Sequence, residues 1–313
     1  MTVFALGGNI AVSKQKELRK MKKIIGIILA LAVIVSCVAV FAACKQDSIV
    51  VYTNAFFAPF EYYDGTDIVG VDVEIMAKVG EKMNKKVVIE DKDFGILIDT
   101  VSEGKLCDCA AAGITITDAR KQKVAFSIPY YTSIQYVIYK VGDFTPATSA
   151  DGTNTSCIYW SDLAGKKIGV QLDTTGDIYV GLEINGDHPI PEDNYVPDEE
   201  YTGELEGKGA VKTAFDTAQL AYEQLKAAQI DVVVVDELPA KYLVKNDSGY
   251  ACAALYYDAE TATSEQYAIA VNKDQTELLD AINAVLKEML EDVDDEGNNG
   301  VIRLVAKHFG MNK

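Results

Sequence analysis

Apolar residues along this chain fall into two alternating rhythms. Short β-branched or fully apolar runs at residues 49–53, 86–90, 107–111, 134–139, 168–170, 230–235, 250–257 and 266–271 predict strands. The run 230–235 is apolar throughout except for Asp231, and it predicts a buried strand. Apolar positions recur at helical spacing over 72–83, 217–228, 276–290 and 301–309, and a further helix is predicted over 95–103, closed by Gly104. In the first helix Val73, Met76, Ala77 and Gly80 form the apolar stripe, and Asp72 reads as a cap. Pro59 bars residues 54–61 from a central strand, and the polar stretch 141–155 reads as loop. Residues 183–212 are acidic, bear Pro and Gly and show no period. They predict a long loop, and loops of that length are functional or mobile. Strand and helix thus succeed one another as in an α/β protein with a mostly parallel sheet, where ligands sit beyond the carboxyl ends of strands.

The N-terminus breaks the rhythm. Lys20, Lys22 and Lys23 precede an uncharged stretch, 24–43, and then Cys44-Lys45-Gln46-Asp47. A basic start, an apolar run and small residues before a break predict a secretory signal, with a transmembrane anchor as the rival. Phe41-Ala42-Ala43-Cys44 resembles a bacterial lipobox, with Phe41 where Leu is usual, so Cys44 is the expected lipidation site. Ile34-Val35-Ser36-Cys37 fits the loose pattern too, but cleavage there would leave an apolar segment beside the lipid. Residues 1–20 have no such logic, and Met21 is an alternative start. A lipid at Cys44 would hold the protein outside the cytoplasmic membrane, in the periplasm of a Gram-negative cell, without a spanning helix.

Of the 313 residues, 49% are hydrophobic, enough for one large or two medium cores. Net charge is −18 overall; residues 1–44 hold six of the 29 basic and one of the 47 acidic residues, which leaves 23 basic against 46 acidic from Lys45 on. Such a surface argues against nucleic acid or anionic membrane as a partner. His188 and His308 are the only histidines and lie far from every motif, and Cys107, Cys109, Cys157 and Cys252 lack zinc spacing. No histidine catalysis, metal or cofactor is expected. Cys107 and Cys109 share a strand face and suit a mutual disulfide poorly. The four cysteines read as buried or free thiols, with a Cys157–Cys252 bridge left open for an oxidising compartment. The acidic stretch from Asp292 to Asn298 fails as a calcium loop, because Arg303 stands where a bidentate Glu is needed. There is no phosphate loop and no dinucleotide glycine pattern.

The candidate chemistry lies in residues 110–133. Gly113-Ile114-Thr115-Ile116-Thr117 ends a strand in a loop, and Thr117 or Asp118 can cap a short helix with Arg120 in its first turn. The helix dipole disfavours an Arg there, so a structural need alone does not account for it. Helix-start N–H groups, threonine hydroxyls and a guanidinium together make a carboxylate receptor. Asp236 closes the strand 230–235, where a carboxylate is badly solvated unless it meets a cation.

The order Gly-Ile-Thr-Ile-Thr-x-x-Arg-Lys, then Val124-x-Phe126-Ser127-x-Pro129-Tyr130-Tyr131, resembles the signature of the polar amino-acid solute-binding proteins of bacterial ABC importers, extracellular solute-binding protein family 3. The likeness runs over about residues 49–310. It includes Gly70 to Ile75, the turn at Trp160 to Lys167, and the loop Gln171 to Asp177, where Asp173 stands at the family's usual Gly. It implies a two-lobe, periplasmic-binding-protein-like (type II) α/β fold hinged by two crossing strands, with residues 48–132 plus 266–313 in one lobe and 133–265 in the other. The implied protein is not an enzyme. It is a monomer that closes on a free polar or neutral amino acid and hands it to an ABC permease. Arg120 would hold the α-carboxylate, aided by Thr115, the Gly113 N–H, Thr174 and Thr175. Asp236 would take the α-ammonium, with Glu237 as runner-up. Asn54, Phe57, Phe94, Gln171 and Val235 would line the side-chain pocket, and Glu61 is the one acid placed to face it. Two rivals share the fold. A cyclohexadienyl dehydratase needs an acid/base carboxylate, for which only Asp173 offers itself, and a ligand sensor needs an output domain.

Overall fold

Two large sheets carry the computed structural model, which describes residues 48–150, 152, 154–186, 202–258 and 261–310. The signal segment with Met21, Cys37 and Cys44, and residues 187–201 of the acidic stretch, lie outside the described residues. The first sheet has the order Lys86–Asp91, Ser48–Thr53, Cys109–Ala110, Ala270–Val271, Ala125–Phe126. Val51 faces Cys109 in a parallel pair, whereas Ala270–Val271 runs antiparallel to both neighbours.

The second sheet runs Val211–Phe215, Lys167–Gln171, Val232–Asp236, Tyr131–Lys140, Tyr250–Tyr256, Cys157–Tyr159. Its long strand Tyr131–Lys140 is antiparallel to both Val232–Asp236 and Tyr250–Tyr256, because it enters from the first sheet instead of through a helical crossover. Ser264–Tyr267 pairs antiparallel with the start of that strand, Glu265 opposite Ser133, before the chain rejoins the first sheet at Ala270–Val271. The fold is thus two α/β lobes joined by two adjacent crossing strands. The single run predicted over 266–271 is split because Ala268 and Ile269 bond to the loops of the first lobe: the Ala268 N–H donates to the Ile114 carbonyl and the Ser127 N–H to that of Ile269.

Helix Val71–Met83 begins at Gly70, with φ 140, where a Cβ would fall 2.0 Å from the Phe60 carbonyl oxygen. Only glycine fits such a close approach. Asp72 therefore lies inside the helix and is not its cap. Ile75, Met76 and Val79 on its inner face pack in one cluster with Ile282 and Leu286 of Thr276–Glu291 and Val301 of Gly300–Phe309. Each such buried side chain contributes roughly 1.5–3 kcal/mol. In the second lobe the cluster centres on Trp160, fully buried among Ile158, Leu163, Ile168 and Val232.

Two stretches read as loop hold structure. Phe56–Phe57, Glu61–Asp64 and Asp67–Val69 form a small antiparallel sheet, with a cis peptide at Ala58-Pro59. Helix Thr175–Asn185 reaches into the acidic stretch from one side, and Val211–Phe215 leaves it as an edge strand with a mostly exposed face. An edge strand buries little, so it carries no apolar run to read. Cys107, Cys109 and Cys252 are free thiols, so the Cys157–Cys252 bridge is not formed. Burial pushes the thiols of Cys107 and Cys252 up, to about 12 and about 11.

Candidate functional site

Four strand ends converge between the lobes. Ser48–Thr53 delivers Asn54, Cys109–Ala110 leads into the Gly113 to Thr117 loop, Lys167–Gln171 ends at Gln171, and Val232–Asp236 ends at Asp236. They close around one narrow, almost filled cavity. From the first lobe Asn54, Phe57, Phe94, Gly113, Thr115 and Arg120 line it; from the second come Gln171, Thr174, Thr175 and Asp236. These are the residues singled out from the sequence, brought together around one space.

Arg120 is positioned by its own helix. The Thr117 hydroxyl caps Asp118–Lys123 by accepting the Arg120 N–H at 3.2 Å, and the side chain is buried. Its Nη1 donates to the Thr115 carbonyl at 2.9 Å and its Nη2 to the Asp173 carbonyl of the other lobe at 3.1 Å. The guanidinium carbon stands 5.4 Å from the Phe94 ring centroid, a cation–π contact that orients the fork. Asp173 holds its carbonyl there with φ 63, the left-handed turn for which Asp is better suited than most residues. Its side chain lies against Gly95, away from the cavity lining.

Thr174 caps helix Thr175–Asn185: its hydroxyl accepts the Asp177 N–H at 3.4 Å and donates to the Gln171 carbonyl at 2.8 Å. Gln171 Nε2 donates to Asn54 Oδ1 at 2.9 Å, and Asn54 Nδ2 to the Lys92 carbonyl at 2.8 Å, so a chain of amides spans the lobes. Phe57 stacks at tilted angles on Phe60 and Tyr267.

The glycine loop is held from behind. Asp72 accepts the Gly113 N–H on Oδ2 at 2.9 Å and the Tyr130 hydroxyl on Oδ1 at 2.7 Å. The Gly113 N–H is therefore committed to Asp72, which corrects its expected role as a donor to a carboxylate in the cavity. Gly113 has φ 54, and a Cβ there would meet Phe57 Cε1 at 2.8 Å. Burial raises the Asp72 acid to about 6, against the pull of these two donors. Glu61, fully buried beside Asp72, is pushed well above the carboxylate range by burial and then by the charge of Asp72. Glu61 does not line the cavity, nor do Val235, which packs in the core, and Glu237, which bonds Lys241 at the start of its helix.

Asp236 is buried and accepts the Tyr267 hydroxyl at 2.6 Å. Burial raises its acid well above the usual range, and the nearby Glu265 raises it further. Glu265 is the residue the sequence reading passed over. Thr115 and Thr175 both donate their hydroxyls to its Oε2 at 2.7 Å, and Gln135 Nε2 donates to its Oε1 at 2.7 Å. The available signal was the alternation in Ser264-Glu265-Gln266-Tyr267, which places Glu265 on the same buried face as Tyr267. A larger groove of about 270 Å³, lined by Phe56, Tyr62, Tyr63, Pro239 and Tyr242 among others, has no carboxylate and no cation in its wall. Of these two, the smaller cavity is the one that offers both signs of charge to a ligand.

Comparison with known proteins bears on this geometry. The sequence profile of the bacterial extracellular solute-binding proteins, family 3, matches residues 49–295. The chain is 30% identical over 265 residues to the arginine-binding extracellular protein ArtP of Bacillus subtilis (strain 168), covering 84% of this chain and 87% of that one. It is 26% identical over 271 residues to the lysine/arginine/ornithine-binding periplasmic protein of Escherichia coli (strain K12), covering 85% and 92%. Among solved structures, an ancestral arginine-binding protein bound to arginine superposes with a TM-score of 0.65 at 30% identity, over 85% of this chain and 99% of that one. Holo ArgBP from T. maritima gives 0.60 at 30% identity, over 81% and 94%.

Proposed function

The chain belongs to the bacterial extracellular solute-binding proteins, family 3, and from that membership we propose that it is an extracytoplasmic receptor that closes on one free amino acid and delivers it to an ABC importer. The observation that carries the proposal is the pair Arg120 and Asp236, a buried cation and a buried carboxylate contributed by different lobes to one cavity. A zwitterion is the ligand such a pair fits. Arg120 grips the α-carboxylate through its planar fork, and Asp236 accepts the α-ammonium. Helix Thr175–Asn185 turns its N-terminus to the cavity, and its backbone N–H groups favour the same carboxylate. The Thr174 and Thr175 hydroxyls are committed to Gln171 and Glu265 instead of serving as the expected donors. Phe57, Phe94, Asn54 and Gln171 flank the ligand's side chain.

Because the two charges are held by different lobes, ligand contacts are complete only when the lobes are shut, so binding shifts the population towards the closed form. That form is the one the permease takes. In this reading the lobes are residues 48–132 with 266–313 and residues 133–265, the protein acts as a monomer without turning its ligand over, and a lipid on Cys44 keeps it at the membrane.

A thermal-shift screen against the twenty amino acids tests the proposal. A ligand that binds only the folded state stabilises it by about 2.7 kcal/mol at a hundredfold excess over Kd. One or two amino acids should raise Tm, and the arginine-binding relatives put arginine first in the panel. Loss of the shift in Asp236→Asn, with the ligand-free Tm kept, is the expected control. No shift with any amino acid, and no amino acid released on denaturing the purified protein, would refute the proposal.

A further inference from the structure

Glu265 sits at the point where the crossing strand Ser264–Tyr267 passes the cavity. It is 3% exposed, and a carboxylate that deep carries a desolvation cost of several kcal/mol unless the site compensates it. Its hydrogen-bond partners among the described residues are three neutral donors, Thr115, Thr175 and Gln135. A hydroxyl has one hydrogen, and both threonines give theirs to Glu265. What Thr115 and Thr175 turn towards the cavity is therefore lone pairs. Asp236, beside them, is also an acceptor when ionised.

The charges follow the same direction. Arg120 is the one cation in the cavity wall, against Asp236 in the wall and Glu265 directly behind the threonines. Among the described residues the lysines on neighbouring elements are already paired with acids of their own, Lys212 with Asp177 and Lys92 with Glu90. Tyr267 is held neutral first by burial and then by Asp236, and Tyr179 and Tyr257 first by burial and then by acids that include Glu265. Behind Gly113 stand Asp72 and Glu61, both acids. A neutral amino acid brings as much negative as positive charge and leaves the buried excess of carboxylate in place. One extra positive charge on the ligand cancels it.

We propose that Glu265 makes this site selective for amino acids of net positive charge, both as the second buried carboxylate and by turning the Thr115 and Thr175 hydroxyls into acceptors. The proposal rests on the amino-acid-receptor reading and goes beyond it in naming the ligand class and the residue that sets it. Asp236 belongs to the same device, since burial and then the Glu265 charge weaken its acidity, and an incoming cation restores its ionised form.

L-arginine and L-citrulline have nearly the same shape and differ by one charge, so titration calorimetry of the purified protein with each is the test. The wild type should bind arginine at least tenfold more tightly than citrulline. Glu265→Gln should shrink that ratio by tenfold or more, through lost arginine affinity, while citrulline binding is kept. Equal binding of the two by the wild type, or an unchanged ratio in a folded Glu265→Gln, overturns the proposal. Should that variant fail to fold, wild-type titrations in phosphate and in Tris decide. Citrulline must then take up about one proton more per molecule bound than arginine, or bind at least tenfold more weakly; if it does neither, the proposal falls. Binding confined to neutral or acidic amino acids overturns the charge selectivity and leaves the receptor reading standing. Binding of no amino acid removes both.

Discussion

Removing the Arg120 guanidinium should sharply weaken ligand binding at a modest cost to the fold. In the absence of ligand, Arg120→Ala loses hydrogen bonds that include those to the Thr115 carbonyl at 2.9 Å and across the cleft to the Asp173 carbonyl at 3.1 Å. Hydrogen bonds from charged donors contribute about 1.5–3 kcal/mol each. Water entering from the cleft replaces part of both, so a net loss of about 2 kcal/mol is expected, or a fall in Tm of roughly 4–8 °C at the slope usual for chains of this size. With ligand, the variant leaves an α-carboxylate buried without its cation. Truncating one partner of such a pair costs about 2–5 kcal/mol, which is roughly 30- to 4,000-fold in Kd. Arg120→Lys keeps the charge and loses the fork, and its affinity should fall between the two, because a lysine cannot hold both carboxylate oxygens in one plane. Calorimetric titration with whichever amino acid raises the wild-type Tm, alongside thermal melts of each variant, separates the two effects. Wild-type affinity in a folded Arg120→Ala would refute the assignment of the carboxylate anchor.

Other perturbations test the parts that hold the site. Gly113→Ala places a Cβ 2.8 Å from Phe57 Cε1 at a positive φ, so ligand affinity should drop at least tenfold while Tm falls by a few degrees, read in the same two assays. Asp72 is raised from 3.8 in the unfolded chain to about 6 in the native one, so the native state binds more protons between these values, and stability should fall as pH rises from about 4 to 6. That decline amounts to at most about 3 kcal/mol, and Asp72→Asn should flatten part of it in melts across the range, with Glu61 supplying a remainder of the same sign. Trp160→Ala empties a fully buried site in the second lobe and should cost about 3–5 kcal/mol in urea unfolding while leaving the first lobe's residues around Arg120 in place.

Local chemistry made much of this site legible in the sequence. Thr117 caps Arg120, Thr174 caps the helix after Gln171, and Asp236 ends a buried strand, and each of these relations lies within a few residues of chain. A cap or a strand end is set by the backbone next to it, so a short window contains its cause. The two crossing strands were legible as β-rich runs for the same reason, while their passage between lobes was implied by the family resemblance alone. Asp72 illustrates the opposite case. Its position near a predicted helix start suggested a cap, but Gly70 opens that helix, and the carboxylate turns inward to hold Gly113, 41 residues on.

What the sequence determined by itself was the α/β succession and the identity of the charged and hydroxyl groups around the cavity; the two-lobe arrangement came through the family resemblance of its motifs. Tertiary structure decided which way those groups point. Thr115 and Glu265 are 150 residues apart in the chain, and Thr175 and Glu265 are 90 apart, yet they share one carboxylate oxygen. A threonine reads as a donor or an acceptor with equal right until its one hydrogen is assigned, and that assignment depends on a partner carried by another lobe's hinge strand. The edge strand Val211–Phe215 stayed hidden on the same ground: its pairing with Lys167–Gln171 exists only once the sheet is assembled, and it buries too little to leave a pattern in the residues.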